Sequence, residues 1–348
     1  MAARQWRERM LCPPSSWSAL VGASCALIVS VAAGAVAGNP AKAAPARDAV
    51  WRSIFARPAA NLAAASNAVE AAKAALGAKL FLDVRLSGDG TRSCASCHDP
   101  ARAFSDGRAR GLGRDGSDLQ RNTPGLYNLG WSHVFFADGR AASLEDQARV
   151  PITAINEMAG DFPGIAGRFS TDSQMVAKFA SAFPAQPGIS EANVLAALAA
   201  YERTLVSPWT RFDDWVAGND EALSPVEQQG FDLFVGRGGC VGCHGGWRFT
   251  DDGLRDIGLP GNDPGRSAIV GGPAELRQFK TPGLRELTRT APYMHDGSLA
   301  SLRAVVDHYA GGFVKRPSVD SNLVRDLELS EADKDALIAF LKTLSSGQ

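Results

Sequence analysis

The short runs CASCH and CVGCH each set two cysteines three residues apart, Cys94 with Cys97 and Cys240 with Cys243, and follow them at once with a histidine, His98 or His244. Two thiols at that spacing can add to the two vinyl groups of one porphyrin, and the adjacent imidazole then reaches the iron as proximal ligand. Disulfides, a thioredoxin-like redox pair, or a zinc site built from one pair of each copy would use the same cysteines. None of these requires a histidine directly after the second cysteine, and both copies have one. The motifs therefore predict two covalently bound c-type haems.

An iron held only by its histidine keeps one face open to a small oxidant, whereas a second side-chain ligand closes that face and favours electron storage. An internal repeat lets the two sixth positions be compared. TPGLYNLGWSHVFFADGRAASL (Thr123 to Leu144) lies over TPGLRELTRTAPYMHDGSLASL (Thr281 to Leu302) without a gap, at an offset of 158 residues, and GAKLF and GFDLF precede the two haem motifs. Carried through the next helix, the offset sets Tyr309 against Pro151 and Lys315 against Glu157. Proline offers no side-chain ligand, so the second haem is expected to be closed by Tyr309 and the first to stay open beside Pro151. Leu302, Val305, Val306 and Tyr309 follow a helical spacing that predicts Tyr309 on the buried stripe and turns His308 about 100° away from it. Met294 and His308 are the reserve ligands. Glu157, present only in the open half, suits the proton transfers of peroxide O–O cleavage when held in a poorly solvated pocket. The plain alternatives are a core aromatic at Tyr309 and a solvated glutamate at Glu157.

These residues need helices to hold them. SEANVLAALAAYERTL has a capping Ser190 and an apolar stripe of Val194, Leu195, Leu198, Tyr201 and Leu205; SEADKDALIAFLKTL repeats the pattern from Ser330 with Leu337, Phe340, Leu341 and Leu344. Between such segments the chain is rich in Gly and Pro, and β alternation is scarce. The expected fold is mostly α, as two tandem cytochrome c-like domains, 44–208 with the open haem and 209–348 with the six-coordinate electron-transfer haem, meeting near Ser207 and Pro208.

Ahead of them, Arg4, Arg7 and Arg9 precede an apolar run from Ser15 to Gly38 and the triplet Ala41-Lys42-Ala43. Residues 1–43 read as a secretory signal cleaved after Ala43, with an uncleaved membrane anchor as the competing reading. Cleavage would place the protein in the periplasm, with no later run long enough to span a bilayer. Lys and Arg number 36 against 37 Asp and Glu, a balance that argues against a nucleic-acid partner or a strongly basic membrane-binding surface.

At CASCH, RNTPGLYN, FADGRAASLEDQ with Pro151 and Glu157, CVGCH, FKTPGLRELTRTAPYMHDGSL and the Tyr309 helix, the chain resembles the bacterial dihaem cytochrome c peroxidase and MauG superfamily over about residues 50–345. The resemblance implies a periplasmic enzyme that uses hydrogen peroxide. Ordinary peroxidase members commonly carry methionine where Tyr309 stands, and a distal histidine in the loop after the first haem motif. Here no histidine lies between His98 and Tyr127, and both features resemble the MauG branch. That branch oxidises tryptophans of a partner protein, completing tryptophan tryptophylquinone in the precursor of methylamine dehydrogenase. The rival readings are a peroxidase fed by a small cytochrome or copper protein, and a plain dihaem electron carrier. The resemblance further implies a calcium ion held by Asn122, Thr290 and Pro292, although a capping Asn and an X-Pro corner explain those residues without metal. One departure is plain: the family usually has tryptophan where Ala137 stands. Phe135 and Phe136 are hard to oxidise, which leaves Trp131 as the nearby indole.

Overall fold

The computed structural model describes residues 44–59, 68–323 and 327–347, so the signal segment 1–43 lies outside the described residues. Their α-helices are α1 (Ala44–Phe55), α2 (Ala68–Leu82), α3 (Leu144–Thr153), α4 (Phe162–Ser170), α5 (Ser173–Ala182), α6 (Glu191–Thr204), α7 (Arg211–Val216), α8 (Pro225–Val235), α9 (Ser267–Val270), α10 (Leu302–Asp307) and α11 (Glu331–Lys342). Two-residue strands β1 (Leu254–Arg255) and β2 (Phe279–Lys280) pair antiparallel. The chain is mostly helical, and none of these helices is long and apolar enough to cross a membrane.

The expected caps start the two long repeated helices. Ser190 Oγ accepts from Asn193 N at the head of α6. Ser330 Oγ accepts from Asp333 N at the head of α11, and Asp333 bonds back to Ser330. Each of these helices crosses a partner that precedes a haem motif, α2 under α6 and α8 under α11. The crossings are so close that a Cβ on Gly77 would sit 1.9 Å from the Ala197 carbonyl oxygen, and one on Gly230 would sit 1.9 Å from that of Ala336. Glycine in GAKLF and GFDLF is thus a steric requirement of the same contact made twice.

Each crossing organises a core. Leu76, Leu80 and Phe81 join Leu198 and Leu205 in the first. Phe212, Phe231, Phe234, Phe249 and Phe340 make the second a cluster of aromatic rings. Helix α1 precedes the first core in sequence yet packs in the second: Phe55 is fully buried, stacks on Phe249 at 4.8 Å and meets Phe212 edge-on. Arg57 then ties the end of α1 to the connection between the cores, donating to the Ser207 and Pro208 carbonyls and to Asp213. A cut at 208/209 would therefore separate α1 from its packing partners. Both cores lie inside one compact unit, 44–348.

The 158-residue repeat is visible in the backbone. Asn128 and Glu286 share a left-handed φ of 65° and 61°, as do Phe136 and Met294 at 63° and 75°. The single-turn helices Leu129–Trp131 and Leu287–Arg289 correspond, as do the bridges Phe135 to Ala141 and Tyr293 to Leu299. Ser143 and Ser301 cap the helices that follow. Only then do the copies part. Helix α3 stays α-helical through Pro151 to Thr153, while α10 ends at Asp307 and opens into a π turn, His308–Gly312.

Candidate active site

The short turns Cys94–Ser96 and Cys240–Gly242 present the motif cysteines, with Cys97 and Cys243 as the residues that end them. His98 and His244 begin from equivalent backbone bonds, their N–H groups donating to the carbonyls of Cys94 and Cys240. His98 Nδ1 lies 2.8 Å from the Phe104 carbonyl oxygen and His244 Nδ1 lies 2.8 Å from that of Phe249. A carbonyl can only accept, so Nδ1 carries the proton and Nε2 presents its lone pair. The two phenylalanines hold their carbonyls there by adopting left-handed φ values of 63° and 57°, a conformation that costs energy for a bulky residue and recurs at functional sites. Desolvation lowers the pKa of both imidazoles and so keeps them neutral, and it pushes the Cys94 thiol up to about 12. Paired thiols, a neutral histidine oriented from its far nitrogen and an apolar surround fit one covalently attached haem at each motif.

Around the first motif, the turn after α3 folds back on itself. Met158 N donates to the Pro151 carbonyl and Glu157 N to that of Ala154, which brings Pro151 and Glu157 into one small loop. Arg114 N, from the segment that follows CASCH, donates to Asn156 O and fixes the loop from outside. The Glu157 carboxyl is near enough to Cys97 to raise that thiol's pKa, after the larger effect of desolvation. Desolvation also raises Glu157 itself, with Arg140 opposing. Arg140 is held over the Phe136 ring at 3.5 Å and bonded to Asp138. A carboxyl in that setting can take a proton and return it near neutral pH.

Around the second motif, desolvation first and then the thiols of Cys240 and Cys243 raise the Tyr309 phenol. His308 does not turn outward as the helical period implied. Because α10 gives way to the π turn, residues 308–312 do not continue the 3.6-residue period. His308 is buried, with Nε2 2.9 Å from the Ile257 carbonyl oxygen, and its ring meets Tyr309 edge-on. That bond fixes the proton on Nε2 and leaves Nδ1 as the nitrogen with a lone pair. Met294 lies in the turn closed by Tyr293 and Leu299, at the position that Phe136 holds in the first half.

Asn122, Thr290 and Pro292 lie on facing segments. Asn122 N donates to the His295 carbonyl, its Nδ2 donates to Arg108 O at 2.7 Å, and a Cβ on neighbouring Gly125 would touch the Thr290 methyl at 3.4 Å. The amide nitrogen is thereby turned to backbone, and the donors left are neutral oxygens of the kind calcium takes. Among the described residues no cluster of three or more His, Cys, Asp or Glu side chains could hold a metal.

Residues 71–221 match the family model described as di-haem cytochrome c peroxidase. Methylamine utilization protein MauG of Methylorubrum extorquens is 44% identical over 284 residues, 81% of this chain and 80% of that protein. The chain belongs to the di-haem cytochrome c peroxidase family. Methylamine utilization protein MauG of Methylophilus methylotrophus is 41% identical over 300 residues, covering 85% of this chain and 89% of that one. The crystal structure of a MauG-like protein associated with microbial copper homeostasis superposes with a TM-score of 0.72 at 34% identity, covering 79% of this chain and 90% of the other. As a family member the protein is a haem-dependent oxidoreductase that uses peroxide, and the family implies two c-type haems.

Sequence reasoning passed over Glu202. It is buried on α6, its Oε2 has no hydrogen-bond partner, and desolvation pushes its carboxyl up to about 8. It is close enough to Cys94 to raise that thiol as well. Five residues beyond Ala197, Glu202 matches Leu341, five beyond Ala336. The available signal was a glutamate falling on an apolar stripe, four residues after Leu198.

Proposed function

We propose that the first half is the peroxide-reactive half and the second the half that passes electrons in from a partner protein. The observation that carries this reading is the inequality of the repeat: the first half holds Pro151 and Glu157 in one hydrogen-bonded loop, whereas the second opens into the π turn that carries Tyr309. When bound, a haem supplies the redox-active iron at which peroxide is reduced. The residues of the chain do the rest. His98 and His244 donate Nε2 from a fixed ring. Pro151 keeps the first site's far face free of a side-chain ligand, and Glu157 moves the proton between the two peroxide oxygens. Tyr309 closes the second site with an oxygen donor. An oxygen donor of this kind would favour higher iron states over electron storage, so a haem held by Tyr309 would share oxidising equivalents.

The external reductant on this reading is a tryptophan of a protein substrate, in the manner of quinone-cofactor maturation in methylamine dehydrogenase, and the compartment is the periplasm. A calcium ion at Asn122, Thr290 and Pro292 belongs to the same proposal. The deciding experiment is EPR of the ferric holoprotein: one high-spin and one low-spin haem are expected, and Tyr309→Phe should abolish or shift the low-spin signal alone. Two low-spin signals in the parent protein, or a low-spin signal indifferent to Tyr309→Phe, would overturn the assignment. Incubation with peroxide and the methylamine dehydrogenase precursor tests the substrate, because joining two tryptophans removes two hydrogens and installing quinone oxygen adds mass, and a mass spectrum reads both changes. The family's peroxidase chemistry gives the second reading, which steady peroxide turnover with a small cytochrome or copper donor and no change in any protein tryptophan would favour.

A further inference from the structure

Trp247, three residues past His244, meets Trp131 of the first half edge to face, with ring centroids 4.8 Å apart and planes at 83°. Indoles of both halves thus touch, whereas Ala137 offers no ring. On the other side of Trp247 lies Arg57, its guanidinium carbon 5.7 Å from that ring and 5.7 Å from the ring of Trp209. The Trp247 and Trp209 centroids are therefore separated by no more than twice that distance. Trp209 is 56% exposed, and its Nε1 donates to Asp214 Oδ1 at 2.7 Å.

We propose that Trp209 is the surface residue through which electrons enter, connected to the second haem motif by way of Arg57 and Trp247. This rests on the reading above that the protein withdraws electrons from an external reductant. An indole gives up an electron more readily when its N–H proton can leave in the same event, and the Asp214 carboxylate is placed to receive it. The positive charge of Arg57 disfavours a cation on either neighbouring ring, and Asp213 holds that charge in place through bonds of 3.0 and 2.9 Å. Oxidation consequently comes to rest on Trp209 as a neutral radical, where the proton has an acceptor, and not on Trp247 as a cation. In each cycle Trp209 loses one electron inward and one proton to Asp214. The external reductant then returns one electron, and Asp214 returns the proton. Two such cycles supply the two electrons that, with two protons from solvent, turn one hydrogen peroxide into two waters.

The test is peptide mapping by mass spectrometry after the holoprotein receives a few equivalents of hydrogen peroxide with no reductant. Trp209 should accumulate oxygen adducts, excess ferrocyanide should prevent them, and Trp247→Phe and Asp214→Asn should each lose most of them. The haem absorption change on adding peroxide is recorded in every sample. If that change occurs while Trp209 stays unmodified, or is modified equally in both variants, the entry route is wrong and the peroxide chemistry stands. If no absorption change occurs in the parent protein, the reading beneath it fails and the route falls with it.

Discussion

Glu157 carries its carboxyl where desolvation favours the neutral acid and Arg140 only partly restores the charge. A base must be ionised to accept a proton, so the rate of the peroxide reaction should climb as pH rises through this elevated pKa and level off above it. Glu157→Gln should slow that reaction by a factor on the order of 100 or more and erase the rising limb. Stopped-flow absorption across the pH range checks both. The neutral amide keeps the shape of the side chain, so an unchanged rate would assign Glu157 to mere packing. The contrast with Tyr309 is instructive. Its phenol is held protonated by its surroundings, and only a cation taking the proton's place makes the oxygen anionic there.

Among elements, the two glycine crossings make the sharpest prediction. Gly77→Ala or Gly230→Ala drives a methyl into a backbone carbonyl that cannot swing away, since Ala197 and Ala336 sit inside α6 and α11. Either change should cost about 3 kcal/mol or more in chemical denaturation. The connection between cores rests on Asp213, whose carboxylate serves Arg57 and the buried Arg285 together. Burial already lowers the Arg285 pKa to about 10. Asp213→Ala strands both guanidinium groups and should cost about 3–5 kcal/mol in the same measurement. The haem motifs, the caps at Ser190 and Ser330, and the duplication were legible in sequence because each depends on residues close together or on a constant offset. The π turn was not, because reading His308 outward assumes that the period of Leu302, Val305 and Val306 runs on. The placement of α1 was not legible either: the rings that receive Phe55 begin at Phe212, and no local pattern announces a contact across that separation. Glu202 was hidden for the opposite reason, since its surroundings read as ordinary helix core.

For the molecule as a whole, Glu202 links folding to pH. Its folded pKa of about 8 lies above the ordinary 4.5. The stability tied to its neutral form is therefore complete below the unfolded value and is lost as pH rises through about 8. Thermal unfolding of the holoprotein should show declining stability between about pH 5 and 8. Glu202→Gln should flatten that decline and be the more stable form on the alkaline side; parallel curves for the two proteins would mean that Glu202 ionises without penalty. The aromatic core that takes in Phe55 has a consequence in time. A chain synthesised from its N-terminus makes α1 well before Phe340 of α11, which belongs to the same cluster. Phe55 stays uncovered until those later rings have been made. Cys240, which packs against this cluster, likewise gains its full set of neighbours only once α11 has been added.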